Sequence, residues 1–551
     1  MRRASASVLL LLAACTEAPR EQEPAINSSG GSTSSTTAPA VTTAGADTST
    51  STTEAATTSS TGDDLVLDVG GFADIGRGPS PTSCTVVDDM DGIGDCKESS
   101  PPGSFDPVIQ WTYTPEDDAM SHVMPLVANL TDDDRNGSID LCDVPDVVVV
   151  VGQNTGQVDA VGEIHVLDGA TGDLHMIFDT PVYANVTPAL GDIDDDGVPE
   201  IVTLSPTGAF LAFEHDGTLK WERETTWQLT YVGGGDPYST SVAMADLDND
   251  GDVEIIASNQ IVDHGGEPLI LPAESGQWSV TTAADLDGDG DLEVILGRSA
   301  YHHDGTVAYA LDIDPGYPHV ADLDLDGLPE VLLTSREGLT LIEHDGTITF
   351  EGLRPTGEAR LTRVWNRPGT IHDFDGDGEP EFASGTSEYF TAYERDGSIL
   401  WSEPVSDYSG IASGTAFDFL GSGFATAMYA DEQQIFVFGE QGELLMQSPR
   451  TSSTLAEYPV VADVDNDGSA EIIYVSNLHD EAQSPTVQVV SDASDRWIQA
   501  RRIWNQHSYH VTNVREDGTI PQFEPPNWET LNTFRSNAQI EGGDLCVPPA
   551  G

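Results

Sequence analysis

From Val123 to Arg502 the apolar residues fall in short runs separated by clusters of Asp, Gly and Pro. Runs such as Ile201-Val202, Phe210-Leu211-Ala212-Phe213, Ile255-Ile256 and Val294-Ile295 are too short for helices and bounded by turn residues, so they read as β-strands. The polar punctuation is itself periodic. An apolar stretch leads into Asp-x-Asp-x-Asp-Gly, two further residues, a Glu and another aliphatic run. A second phrase closes many units: Glu214-His215-Asp216-Gly217-Thr218, His303-Asp304-Gly305-Thr306, Glu343-His344-Asp345-Gly346-Thr347 and Glu394-Arg395-Asp396-Gly397-Ser398. Asp-Gly between strands is a hairpin signal, and the histidines before it read as packing beside the turn. Each unit therefore offers about four strands, and the units start 37 to 60 residues apart. Four-stranded repeats of that length are blades of a β-propeller. The predicted class is all-β.

The spacing within the first phrase carries chemistry. Side-chain oxygens at positions 1, 3 and 5 of a tight loop converge on one point, and glycine at 6 permits the turn, as in EF-hand calcium loops. Here the closing acid stands at position 9 and opens a strand, so the loop joins two strands and the Glu reaches back. Complete sets are Asp192, Asp194, Asp196, Glu200; Asp246, Asp248, Asp250, Glu254; and Asp285, Asp287, Asp289, Glu293. They recur as Asp322, Asp324, Asp326, Glu330; Asp373, Asp375, Asp377, Glu381; and Asp463, Asp465, Asp467, Glu471. An expanded first version has Asp132, Asp134 and Asn136, with Asp140, Asp143 and Asp146 behind it. A degenerate unit at Asp418 lacks the third and fifth ligands. Hard oxygen donors without Cys or His among them favour several structural Ca2+ ions.

Composition sharpens this picture. The 551 residues hold 94 Asp or Glu against 21 Lys or Arg, a formal charge of -73. Such a chain repels phosphate, which excludes nucleic-acid binding and a polybasic membrane surface. The 54 Gly and 33 Pro suit many turns.

The repeats resemble the FG-GAP/VCBS repeats of bacterial surface proteins, related in architecture to the propeller of integrin alpha subunits. The resemblance implies calcium loops on one face of the propeller and ligand contacts on the opposite one. Eight units predict eight blades, with seven, the integrin-like number, as the alternative. The stretched first unit could borrow a strand from Val108–Tyr113 or from the C-terminal tail.

The N-terminal region reads differently. Arg2 and Arg3 precede an apolar run, Val8–Leu12, too short to span a bilayer, so residues 1–15 read as a signal peptide. Cys15 after small residues resembles the lipobox of bacterial lipoproteins, which implies lipidation of Cys15 and an outer-membrane or cell-surface lipoprotein; secretion is the alternative. Residues 16–62, rich in Ser and Thr, read as a disordered stalk, and 63–107 as a small acidic Cys-containing segment before a propeller over 108–546. Cys84, Cys96, Cys142 and Cys546 suit two disulfides; the expected pairing is Cys84–Cys96 with Cys142–Cys546.

No nucleophile elbow, zincin helix or phosphate loop occurs. The unusual residues are Trp504, His507 and His510 in Arg501–His510, echoed by Trp365 and Arg367 in Arg363–Arg367. Trp and Arg anchor ligands, so these are candidate ligand contacts, although core packing is the simpler reading. The expected function is a non-catalytic, calcium-stabilised adhesion or recognition module for a protein or carbohydrate ligand. The alternative is a secreted carbohydrate-active enzyme of the polysaccharide-lyase type, which needs basic and aromatic residues in a central cleft.

Overall fold

The computed structural model describes residues 99–540 except 102, 118, 153–159, 225–239, 270–279, 355–366, 408–411, 454–455, 478–483 and 530. Cys15, the stalk, Cys84, Cys96, Trp365 and Cys546 lie outside the described residues. The expected pairs Cys84–Cys96 and Cys142–Cys546 each include a residue outside the described ones.

Eight sheets follow one another along the chain, antiparallel except where Val186–Thr187 pairs parallel with Thr240 and Ser241, and the protein is an eight-bladed β-propeller. The inner strands of blades 1 to 8 are Leu126–Ala128, Ala189–Gly191, Thr240–Ala245, Thr282–Ala284, Gly316–Ala321, Thr370–His372, Gly414–Phe417 and Val460–Ala462. Blade 2 is typical: the inner strand is followed by Glu200–Leu204, Phe210–Phe213 and an outer strand, Leu219–Arg223. The second and third strands are wholly buried while the outer strand is partly exposed. Strands sandwiched between neighbouring blades bury both faces, which is why they read as unbroken apolar runs. Asp-x-Asp-x-Asp-Gly always joins the inner strand to the second. Asp-Gly joins the third to the outer, as the Glu214 N–H bond to the Thr218 carbonyl shows at 2.9 Å.

The ring closes differently from the expectation. Blade 1 supplies its own outer strand, Leu174–Ile177, and its extra length is absorbed in the loop between its inner and second strands. The last blade is the one completed from the other end of the chain. Pro107–Tyr113 pairs antiparallel with Val487–Asp492, from Pro107↔Asp492 to Tyr113↔Val487. Just before it, Phe105 packs against Phe419 and Trp497, and the Ser100 N–H bonds the Leu420 carbonyl. The end of the acidic 63–107 segment is thus built into the propeller.

Beyond the last blade, residues 496–540 form a plug that bonds to the inner edge of every blade. Trp504 pairs with Val127 of blade 1, and the Leu190 N–H of blade 2 donates to the Asn505 carbonyl at 2.8 Å. Gln506 accepts from the Met244 N–H at 2.9 Å, and the Ser508 hydroxyl donates to the Thr281 carbonyl at 3.0 Å. Asn532 bonds Asp322, Phe534 pairs with Ile371, Ser536 donates to the Ala416 carbonyl, and Asn537 donates to the Val461 carbonyl. Inner strands carry unpaired edge groups facing the channel, and buried backbone groups need partners. The plug's amides and carbonyls meet that need, and its Trp504 and Tyr509 join the largest apolar cluster.

Candidate cation centres in the blade loops

In each loop the position-1 aspartate first shapes the backbone. Asp192 accepts the Gly197 N–H at 2.9 Å and the Asp196 N–H at 3.2 Å. The same bond to position 6 runs from Gly137 to Asp132, Gly251 to Asp246, Gly290 to Asp285, Gly327 to Asp322, Gly378 to Asp373 and Gly468 to Asp463. The degenerate blade 7 keeps it, Gly423 to Asp418 at 2.9 Å. Position 6 has φ near +90° (Gly197 +89°), where only glycine is unstrained. Position 4 is also left-handed: Asp195, Asn249, Asn466, Gly288 and Gly376 suit it, whereas Leu325 at +57° does not. That requirement was missed in the sequence, although the frequency of Asn, Asp and Gly there signals it.

The position-9 acid has one oxygen committed to the loop and one left over. Oε2 of Glu200, Glu254, Glu293, Glu330, Glu381 and Glu471 accepts the N–H of position 2, at 2.7–2.9 Å. In blade 1 the position-2 N–H, that of Asp133, goes instead to Asp143 at 2.9 Å, while Asp146 accepts the Leu130 N–H at 2.9 Å. The second oxygen faces the aspartates. In blade 5, ligand atoms of Asp322, Asp324, Asp326 and Glu330 lie within 4.8 Å of one another, as do those of Asp192, Asp194 and Glu200 in blade 2 and of Asp132, Asp134 and Asp143 in blade 1. Oε1 of Glu330, Oε1 of Glu471 and Oδ1 of Asp463 are buried with no hydrogen-bond partner. Buried carboxylate oxygens are seldom left so. A hard cation there would satisfy them, and the all-oxygen donor set fits one.

Electrostatics agree. Burial, reinforced by the loop aspartates, pushes Glu254, Glu330 and Glu381 up to about 8. Glu471 is raised well above its usual range by burial and by Asp465, Asp463 and Asp467. Without a counter-charge these loops favour protonation over four adjacent charges. Several acidic clusters of the propeller can therefore hold a metal ion.

The loops differ in what else approaches them. Asn136 in blade 1 donates to Asp134 and accepts from Ser138, and Asp143 gathers the N–H groups of Asp133, Asp134 and Asp140. His175 reaches Asp146 at 3.0 Å, and His302 reaches Glu293 Oε1 at 2.8 Å. His303 lies 3.3 Å from Asp291 and 3.8 Å from Asp248, between the acidic loops of blades 4 and 3. Lys220 contacts Asp194 and sits 3.0 Å from both Glu200 and Glu214. Neither His175, His302 nor Lys220 stood out in the sequence, because each lies outside the loop motif: His175 and Lys220 on outer strands, His302 at the turn after the third strand of blade 4.

The candidate ligand contacts are elsewhere, and they are interior. Trp504 is fully buried, stacked on Tyr509 at 4.5 Å. His507 meets Tyr458 edge-on, and burial next to Arg535 holds its imidazole well below the usual range. His510 bonds Glu524 at 2.6 Å. Arg367 pairs with Asp407 at 2.8 Å, both sealed from solvent. These four side chains are buried and present no surface to a ligand.

A family model described as FG-GAP-like repeat matches residues 192–257, the stretch from the blade 2 loop to the second strand of blade 3. Among solved structures the chain is similar to the V. cholerae biofilm matrix protein Bap1, with TM-score 0.67, 20% identity, and coverage of 80% of this chain and 100% of that one. Rhamnogalacturonan lyase YesW is similar at TM-score 0.48 and 15% identity, covering 80% of this chain and 84% of that one, too distant to bear on chemistry. No curated protein sequence matches the chain significantly.

Proposed function

We propose that this protein is a non-catalytic recognition module displayed on or secreted from the cell, a propeller stabilised by Ca2+ in its loops that binds a protein or glycan ligand on its outer surfaces. One observation carries the reading: the central channel is filled. A polysaccharide lyase of this shape needs open access at the centre and free positive charge to neutralise a uronate. Here the plug spans all eight inner strands, and the described arginines near the axis are spent internally. Arg502 pairs with Glu516 at 2.7 Å, Arg450 with Glu457 at 2.7 Å, and Arg535 donates to the Gly369 and His507 carbonyls. The likeness to a biofilm matrix protein agrees with such a role, and lipid anchoring through Cys15 would present the propeller beyond a stalk.

A glycan array probed with the calcium-loaded protein, run beside a depolymerisation assay on acidic glycans, tests this. Specific retention with no rise in absorbance from unsaturated products is expected. Calcium-dependent depolymerisation by the pure protein would refute it.

A further inference from the structure

We propose that Lys220 is a built-in counter-ion: its ammonium occupies the cation position of blade 2, so this loop needs no divalent ion although its motif is complete. This rests on the reading that the other loops hold divalent ions.

The chain has two lysines, Lys97 and Lys220, and Lys220 is the one among the described residues. It extends from the outer strand of blade 2, three residues beyond the turn glycine Gly217. Its Nζ touches three carboxylates at once: Asp194 at position 3, Glu200 Oε1 at position 9 and Glu214 at the end of the third strand. Lys220 and Glu200 are largely enclosed, with side chains 16% and 1% exposed. A single ammonium with three donors aimed at three acceptors is geometrically complete. It uses the very oxygen, Oε1, that a divalent ion would need from Glu200.

The matching outer-strand position explains why blade 2 differs. Counted from the turn glycine, it is His175 in blade 1, Ala308 in blade 4, Thr349 in blade 5, Leu400 in blade 6 and Leu445 in blade 7. None of these carries a permanent charge. In blade 5 the nearest cation is the half-exposed Arg395, 3.9 Å from Asp324, and Glu330 Oε1 has no partner. Glu200 Oε1 is thus satisfied from within the chain where Glu330 Oε1 is not. A divalent ion entering blade 2 would have to expel the ammonium from a partly dry site, leaving two cations competing for the same oxygens.

Elemental analysis of dialysed full-length protein, with calcium as the probe, tests the proposal in four variants. Asp324→Ala should lower bound calcium by about one ion per molecule, while Asp194→Ala leaves it unchanged. Lys220→Met, which frees the carboxylates, should raise it by about one ion, and Lys220→Arg should not. In the absence of calcium Lys220→Met should melt below the parent, and added calcium should restore more of its stability than it adds to the parent. Loss of an ion with Asp194→Ala, or no gain with Lys220→Met while the parent binds calcium, would overturn the assignment. If the parent and every variant bound no calcium, the divalent reading of the other loops would fail instead. The calcium-free melts would then decide on Lys220 alone: a Lys220→Met melt equal to that of the parent would mean its ammonium is no counter-ion.

Discussion

Replacing Trp504 by alanine separates a structural plug from a ligand platform. The indole is fully buried, stacked on Tyr509 at 4.5 Å and edge-on to Tyr458 at 6.1 Å. Alanine keeps the two backbone bonds to Val127, at 2.9 and 3.0 Å, so the change removes side-chain burial alone. Truncating a buried Trp costs about 3–5 kcal/mol, and the lost stacking lies within or slightly above that range. Against a typical stability of about 5–15 kcal/mol, Trp504→Ala should fold but unfold at much lower urea. The control is Phe523→Ala, in the same segment but 68% exposed, which should stay within about 0.5 kcal/mol of the parent. Urea titrations followed by tryptophan fluorescence and by circular dichroism give both values. A Trp504→Ala midpoint indistinguishable from that of Phe523→Ala would refute the plug as a packed element.

Glu330→Gln should lower bound calcium by about one ion per molecule and reduce the calcium-dependent gain in melting temperature, read by elemental analysis and calorimetry. Calcium-free protein should lose stability as pH rises. Glu254, Glu330 and Glu381 titrate near 8 when folded against 4.5 as their ordinary value; the folded state therefore holds more protons between those values, and each site contributes a loss of up to about 1.4 kcal/mol per pH unit there. Saturating calcium should flatten the slope, and melting temperatures from pH 5 to 9 with and without calcium check both. Leu325→Asn, at a left-handed and exposed position, should stabilise the protein by up to about 1 kcal/mol in urea titration.

The repeat, the strand-loop-strand phrase and the convergence of its acids were legible in the chain because they are local: ligands and turn glycines sit within nine residues of each other. Blade number followed from counting, and the eight sheets agree with it. The position-9 Glu was read as reaching back to its loop, and it does, though the bond it makes there is to the position-2 N–H. What only the tertiary structure decided involves residues far apart in sequence. Which blade borrows a strand depended on which edge the ring left open: blade 1 is completed by Leu174–Ile177, so Pro107–Tyr113 pairs with Val487–Asp492 of blade 8. The Arg501–His510 segment, rich in types that decorate binding surfaces, became interior because its polar groups match the inner edges of the blades. Polar composition alone does not say whether the partner is solvent, ligand or backbone. Lys220 answers to carboxylates 6 to 26 residues away, and no period in the sequence connects it to Asp194. Its charge acquires meaning only when folding lays the outer strand beside the loop.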